Sequence, residues 1–158
     1  MKLGVVSDTH GIVHSDLHRH LDDVGMILHA GDIGSDNVIE ELELHAPVVA
    51  VRGNTDTYPI TGRYRERELV EVLSRRIYIT HRFIEGRRKI SRVATDINNV
   101  RPQIVVFGHT HEQYAAFEDG ILYFNPGSCG HRRPGTRTGL GIITINDELI
   151  SHEFIYLE

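Results

Sequence analysis

Lys2-Leu3-Gly4-Val5-Val6-Ser7-Asp8-Thr9-His10 is a strand-like apolar run that passes directly into side chains able to hold a metal ion. Four later segments have the same build. Residues 26–30 lead to Gly31-Asp32, residues 48–51 to Gly53-Asn54-Thr55-Asp56, residues 77–79 to Thr80-His81, and residues 104–107 to Gly108-His109-Thr110-His111. One such coincidence is ordinary, because a strand-end His is usually a hydrogen-bonded structural residue and an Asp after Gly is usually a turn residue. Five in series predict that one edge of a sheet presents oxygen and nitrogen ligands to a single crevice, where open α/β sheets bind their ligands.

The segments between these runs set the fold class. Strand-like 2–7 is followed by a helical stretch near 15–23 with Ser15 as its N-cap, then strand 26–30, a helix near 36–45 closed by Pro47, and strand 48–51. Strands spaced by helices predict βαβ units and a mainly parallel sheet. From residue 64 the pattern changes. Residues 64–73 and 76–80 read as a hairpin, 86–99 as a basic helix stopped before Pro102, and 104–107 as a strand returning to the same edge. The remainder is β-rich: 113–117, an Asp119-Gly120 turn, 121–124, 140–145, an Asn146-Asp147 turn and 148–157. A parallel first half and a hairpin-rich second half predict an α/β protein of two packed mixed sheets flanked by helices.

Composition narrows the class further. The 158 residues suit one domain spanning 1–158 and are too few for two ordinary ones. No apolar run reaches the roughly 18 residues of a membrane span, and Met1 runs straight into the first motif, so neither a membrane nor a signal peptide is expected. A lone cysteine, Cys129, excludes an internal disulfide framework and fits a reducing compartment, so a cytoplasmic protein is expected. The formal charge of −5 argues against binding nucleic acid through a broad basic face. An anionic substrate remains compatible, because two divalent cations against the two carboxylates Asp8 and Asp32 leave the ligand shell positive.

The ligand types point to transition metals. In Asp8-x-His10 and His109-x-His111, residues i and i+2 share a face if extended geometry persists beyond the strand. Asp32 carries two anionic oxygens with which to bridge two cations, Asn54 a neutral carbonyl oxygen, and His81, His109 and His111 ring nitrogens. A shell mixing carboxylate, amide and imidazole suits Mn, Fe, Co, Ni or Zn better than Mg or Ca. Two such ions about 3.5–4 Å apart clamp an in-line displacement at phosphorus. The expectation is a two-metal hydrolase.

The ordered set D-x-H, G-D, G-N, H and G-H-x-H, with Asn125-Pro126-Gly127-Ser128 behind it, resembles the calcineurin-like metallophosphoesterases, and most nearly their small bacterial and archaeal phosphodiesterase branch. The resemblance runs from Ser7 through Ser128. It implies a four-layer α/β/β/α sandwich without a cap domain and two divalent transition-metal ions, manganese foremost, with Ni, Fe, Co or Zn as alternatives. One ion would be held by Asp8, His10, Asp32 and His111, the other by Asp32, Asn54, His81 and His109. A metal-bridging hydroxide would hydrolyse a small phosphate diester. The same resemblance reaches a non-catalytic scaffold subunit of this fold, and phosphomonoesterases and phosphoprotein phosphatases. The complete ligand set favours a phosphodiesterase.

Two positions depart from the family pattern. Thr55 stands where many relatives carry a His that protonates the leaving group, so diesters with good leaving groups are expected substrates. Arg82 follows His81 where relatives carry Gly, and it is either a contact for substrate phosphate or a solvated arginine. His131 and Arg132 are further candidates for substrate contact. The basic run Arg87-Arg88-Lys89, with Arg92, reads as one wet helix face or as a guide for a nucleic-acid substrate, the former favoured. Asp56 reads either as a residue orienting a ligand or as a turn residue. His29, with His14, His18, His20, His45 and His152, is expected to be a surface or structural residue. A homo-oligomer is compatible with everything above.

Overall fold

A computed structural model describes residues 1–130 and 134–158. Among the described residues twelve strands are formed: β1 (Lys2–Val6), β2 (Met26–His29), β3 (Val48–Ala50), β4 (Arg67–Val72), β5 (Arg75–Thr80), β6 (Ile84–Glu85), β7 (Arg88–Lys89), β8 (Ile104–Val106), β9 (Gln113–Glu118), β10 (Ile121–Pro126), β11 (Gly139–Ile145) and β12 (Ile150–Tyr156). The helices are α1 (Asp36–Glu43), α2 (Ile60–Arg63), α3 (Ser91–Val100) and a 3₁₀ helix over Ser15–His20.

Two five-stranded sheets are built, in the orders β12-β11-β1-β2-β3 and β4-β5-β8-β10-β9. Both are mixed. Strands β1, β2 and β3 run parallel, as do β5, β8 and β10, and β11, β12, β4 and β9 join antiparallel. Side-chain alternation explains why the sheets stack. Leu3 and Val5 of β1 enter the same apolar cluster as Ile77, Ile79, Ile104, Val106, Leu122 and Phe124 of the second sheet, whereas Val6 packs with Leu17, Leu21 and Leu42. On the second sheet Tyr78, Val105 and Tyr123 turn outward onto Val93 and Ile97 of α3. Three apolar interfaces between four layers follow, as the two-sheet reading anticipated.

Two local expectations need correction, and one element was not anticipated. The first helical stretch is a 3₁₀ helix of six residues, capped by the His14 side chain, which accepts the Asp16 N–H at 3.3 Å, and not by Ser15. The basic segment does not begin as a helix. Arg87-Arg88-Lys89 belongs to the small β6–β7 hairpin, and α3 starts only at Ser91. Lys89 is pulled out of any helical run by Glu118, 2.5 Å away, and by the Tyr123 ring, 4.7 Å below its ammonium. The short helix α2, between the third ligand loop and β4, has no counterpart in the sequence-based reading.

Candidate metal centre

All six parallel strands end on the same side of the sandwich, and each supplies part of the site. β1 is followed by Asp8 and His10, β2 by Asp32, β3 by Asn54, β5 by His81 and β8 by His109 and His111, while β10 carries Asn125 near its end and is followed by Gly127 and Ser128. Backbone bonds lash neighbouring loops together. Asp8 N–H donates to Gly31 O at 2.9 Å, His10 N–H to Asp32 O at 2.9 Å, and Gly108 N–H to His81 O at 3.0 Å.

The i, i+2 residues do not converge through strand alternation. β1 stops at Val6 and the chain then turns left-handed, with φ of 54° at Asp8 and 49° at His10. Asp32 (53°), His109 (71°) and His111 (61°) adopt the same conformation. Among the described residues, five of the nine non-glycine positions with positive φ are expected ligands. Each such residue costs about 1–2 kcal/mol relative to the right-handed form, and strain of this kind concentrates at functional sites.

Two trios of donors are close enough to share an ion. Asp8, His10 and His111 each offer an atom within 4.8 Å of the others, and so do Asp8, Asp32 and His81. Asp8, Asp32, His81 and His111 are all buried, none exposing more than 3% of its surface. His10 Nε2 lies 3.5 Å from His111 Nε2 and 3.9 Å from Asp32 Oδ2. Asn54 and His109 belong to neither trio, but they border one cavity together with Asp32 and Thr55, and the His109 ring centroid is 5.4 Å from that of His81.

The donor atoms are prepared for a cation. His81 Nδ1–H donates to Ala30 O at 2.7 Å, so Nε2 is the atom that faces Asp32 Oδ2 at 3.3 Å; against the opposing effect of burial, Asp32 and Asp8 raise the His81 pKa, and ligation of a cation at Nε2 releases that proton. Asp8 Oδ1 stands 3.0 Å from His111 Nε2 without hydrogen-bond geometry. Asp8 Oδ1 and His81 Nε2 are thus buried polar atoms with no hydrogen-bond partner, a state that costs about 1–3 kcal/mol each when nothing compensates. His111 Nδ1 is also unpartnered. Acceptors converging on one another across 3–4 Å fit a divalent ion between them. The residues present therefore suit the expected metals.

Electrostatics agree with that fit. Burial works against the Asp8 carboxylate, but His111, the charge on His81 and the Ser7 hydroxyl hold its pKa below the ordinary value. Asp32, likewise opposed by burial, is held well below the usual carboxylate range by His81 and the Thr55 N–H. Burial lowers the His109 pKa, and the positive charges of His81 and Arg82 lower it further. At neutral pH the two carboxylates are ionised and His109 is a neutral donor.

A second group of residues fixes these loops, and sequence reasoning left most of them unassigned. Ser7 Oγ–H donates to Asp8 Oδ2 at 2.6 Å. Asp56 accepts from Gly53 N at 2.7 Å, Gly34 N at 2.8 Å and Ile33 N at 3.1 Å, binding the loop after β3 to the loop after β2. Asn125 Nδ2 donates to Gly108 O at 2.9 Å, and Ser128 Oγ donates to Asp8 O at 3.0 Å, so the turn after β10 braces loops of both sheets. His29 is wholly buried: its Nδ1 accepts from Gly31 N at 3.2 Å, which leaves Nε2–H for Thr9 Oγ1 at 2.9 Å. The signal for His29 lay in its position at the end of an apolar strand. The Cys129 thiol is buried, its pKa pushed up to about 12, and it donates to Gly139 O.

Two glycines are required by close approach. A Cβ on Gly53 would lie 2.0 Å from Asp32 Oδ1, and one on Gly108 would lie 2.0 Å from Ser7 Oγ and 2.7 Å from Asp8 Oδ2. Arg82 borders a cavity beside Asn54 and His81, with its guanidinium paired to Glu85. Thr55 is exposed at the site, its N–H donating to Asp32 Oδ1 at 2.9 Å. His131 and Arg132 lie outside the described residues.

A fold of two stacked mixed sheets, with carboxylate, amide and imidazole donors at the ends of its parallel strands, defines a phosphoesterase of the metal-dependent type. The family model for the calcineurin-like phosphoesterase superfamily domain matches residues 1–148, and the chain belongs to that superfamily, among the hydrolases of phosphoric esters. A probable metallophosphoesterase of Methanothermobacter thermautotrophicus is 32% identical, the match covering 98% of this chain and 92% of the relative. A phosphodiesterase of Methanocaldococcus jannaschii is 29% identical over 93% of each. The solved structure of Vps29 from Entamoeba histolytica, complexed with zinc, shares the fold with a TM-score of 0.76 at 19% identity, covering 99% of both chains. Among the described residues no helix is long and apolar enough to cross a membrane.

Proposed function

We propose that the protein is a phosphodiesterase that works with two divalent transition-metal ions, manganese foremost. Asp8, His10, Asp32 and His111 hold one ion, and Asp32, Asn54, His81 and His109 the other. The unpartnered, buried Asp8 Oδ1 and His81 Nε2 carry this reading, since each faces a second donor at 3.0–3.3 Å. When bound, the cations supply Lewis-acid activation of water and of the phosphoryl oxygens.

The chain's own residues orient and neutralise. Asp32 is fixed by the Thr55 N–H at one oxygen, leaving the other for ligation. Ala30 O sets the His81 tautomer, so its Nε2 is a lone-pair donor. Thr55 offers no proton near neutral pH, so the leaving oxygen departs without a side-chain acid. Aryl diesters are then turned over, and alkyl monoesters lag on the order of 10²–10⁴-fold.

The test is a chelated, metal-free preparation titrated with Mn²⁺, Ni²⁺, Zn²⁺ and Mg²⁺ against an activated diester and an activated monoester. Metal-dependent diester hydrolysis that disappears in Asp32→Asn supports the reading. Stoichiometric metal binding with no turnover of any ester would instead identify a scaffold built on a metal site.

A further inference from the structure

One cavity next to the metal centre carries a charge pattern that diester hydrolysis by itself does not require. It encloses about 350 Å³ and meets the ligand set only at Asn54 and His81. Its other walls carry four arginines: Arg52 beside the third ligand loop, Arg67 on β4, Arg82 after β5 and Arg92 on the first turn of α3. Arg67 sits directly across from Thr80, so its side chain starts one residue from the His81 loop. Only Glu66 and Glu85 among the lining residues oppose these four cations. With Asp96 paired to Arg67 from outside the lining, three of the four arginines have a carboxylate partner, and Arg92 carries the uncompensated charge.

The arginines fall into two kinds. Arg52 donates to Thr61 O at 2.9 Å and Glu66 Oε1 at 3.2 Å, and Arg67 is paired with Asp96, so both are held in place. Arg82 is paired only with Glu85, on an exposed hairpin, and Arg92 makes no ion pair or hydrogen bond among the described residues. Fixed guanidinium groups with two adaptable ones beside them suit a dianion that accepts paired N–H donors, which is the geometry of a terminal phosphate. Ile90 and Val93 add an apolar wall at the same end.

We propose that this cavity binds a second phosphate, one linkage removed from the scissile diester, so that the preferred substrates are nucleotide-type diesters carrying an additional phosphate monoester. The inference rests on the phosphodiesterase reading of the adjoining centre. The apolar wall accommodates the sugar or base between the two phosphates.

The test compares thymidine 5′-(p-nitrophenyl phosphate) with its 3′-phosphorylated form, which differ only in the second phosphate. The metal-loaded protein should show a kcat/KM at least about tenfold higher for the 3′-phosphorylated ester, with the ratio falling toward one in Arg92→Ala and in Arg82→Ala. In parallel, thymidine 3′,5′-bisphosphate is titrated calorimetrically into metal-free protein, where Arg92→Ala should weaken binding about tenfold and Arg92→Lys less. If both esters are cleaved equally and neither variant alters the ratio, the second-phosphate site is overturned while the phosphodiesterase stands. If neither ester is cleaved, the phosphodiesterase reading fails, and calorimetry alone decides the site: binding that ignores both substitutions overturns it.

Discussion

Asp8 joins the two sheets through one carboxylate: Oδ2 accepts the His109 N–H at 3.1 Å, while Oδ1 stands 3.0 Å from His111 Nε2. The side chain therefore helps hold the β1 and β8 loops together as well as lining the proposed metal site. Replacing Asp8 with Asn keeps the size and removes the charge. Metal affinity, measured calorimetrically on chelated protein, should fall at least about 100-fold. Addition of metal to the unaltered protein should raise its Tm, a ligand present at 100 times its Kd contributing about 2.7 kcal/mol. Equal affinity in Asp8→Asn would locate the ion elsewhere.

Gly53→Ala probes the same centre from the backbone side. The new methyl would meet Asp32 Oδ1 at 2.0 Å, so either the carboxylate or the loop must move. Metal binding should weaken about 10–100-fold, as for other groups that orient ligands. An unchanged calorimetric titration would mean that Asp32 is free to shift at no cost.

Asn125→Ala removes the donor to Gly108 O and Thr110 Oγ1 together with the acceptor for Gly127 N. Buried backbone groups left unpaired cost about 1–3 kcal/mol. The urea midpoint should drop accordingly with the m-value preserved. Activity should fall further than stability explains, because the loop that carries His109 and His111 loses its brace.

His29 supplies a pH signature. Burial lowers its pKa to about 4, from 6.5 in the unfolded chain. Between those values the unfolded protein takes up a proton that the folded protein does not, so stability is full above pH 6.5 and is lost as pH falls toward 4. The loss amounts to about 3 kcal/mol. The His29 ring resonances should stay constant from pH 7.5 to 5, and the stability of His29→Gln should depend less on pH over that range. A ring that titrates near 6.5 would refute the buried, neutral assignment.

Thr55→His tests whether a leaving-group acid is missing. Position 55 is exposed beside Asp32 and His109, so an imidazole has room there. Turnover of alkyl esters should rise on the order of 10²-fold relative to aryl esters. Parallel changes for both classes would indicate a positional effect without proton donation.

Much of this protein was legible residue by residue. The uninterrupted apolar runs Leu3-Gly4-Val5-Val6 and Ile77-Tyr78-Ile79 are the pattern of strands buried on both faces, as these are. Helix-spaced strands announced the parallel units, and Asp119-Gly120 forms the tight turn its composition favours, with φ of 50° and 78°. The basic stretch after Glu85 misled because its charges are compatible with a helix face, whereas the partners that hold it as a hairpin, Glu118 and Tyr123, lie about thirty residues further along the chain.

The site divides along the same line. Which side chains stand behind which strands, and that position 55 carries no imidazole, follow from residue order alone, because a strand and the loop after it are local in the chain. How those side chains meet is a tertiary matter. Left-handed turns at Asp8, His10, Asp32, His109 and His111, bracing by Asn125 and Ser128, and four arginines gathered at one cavity all depend on contacts between segments up to 120 residues apart. Those contacts exist only once two separately patterned sheets have stacked and brought their parallel strand ends to one side.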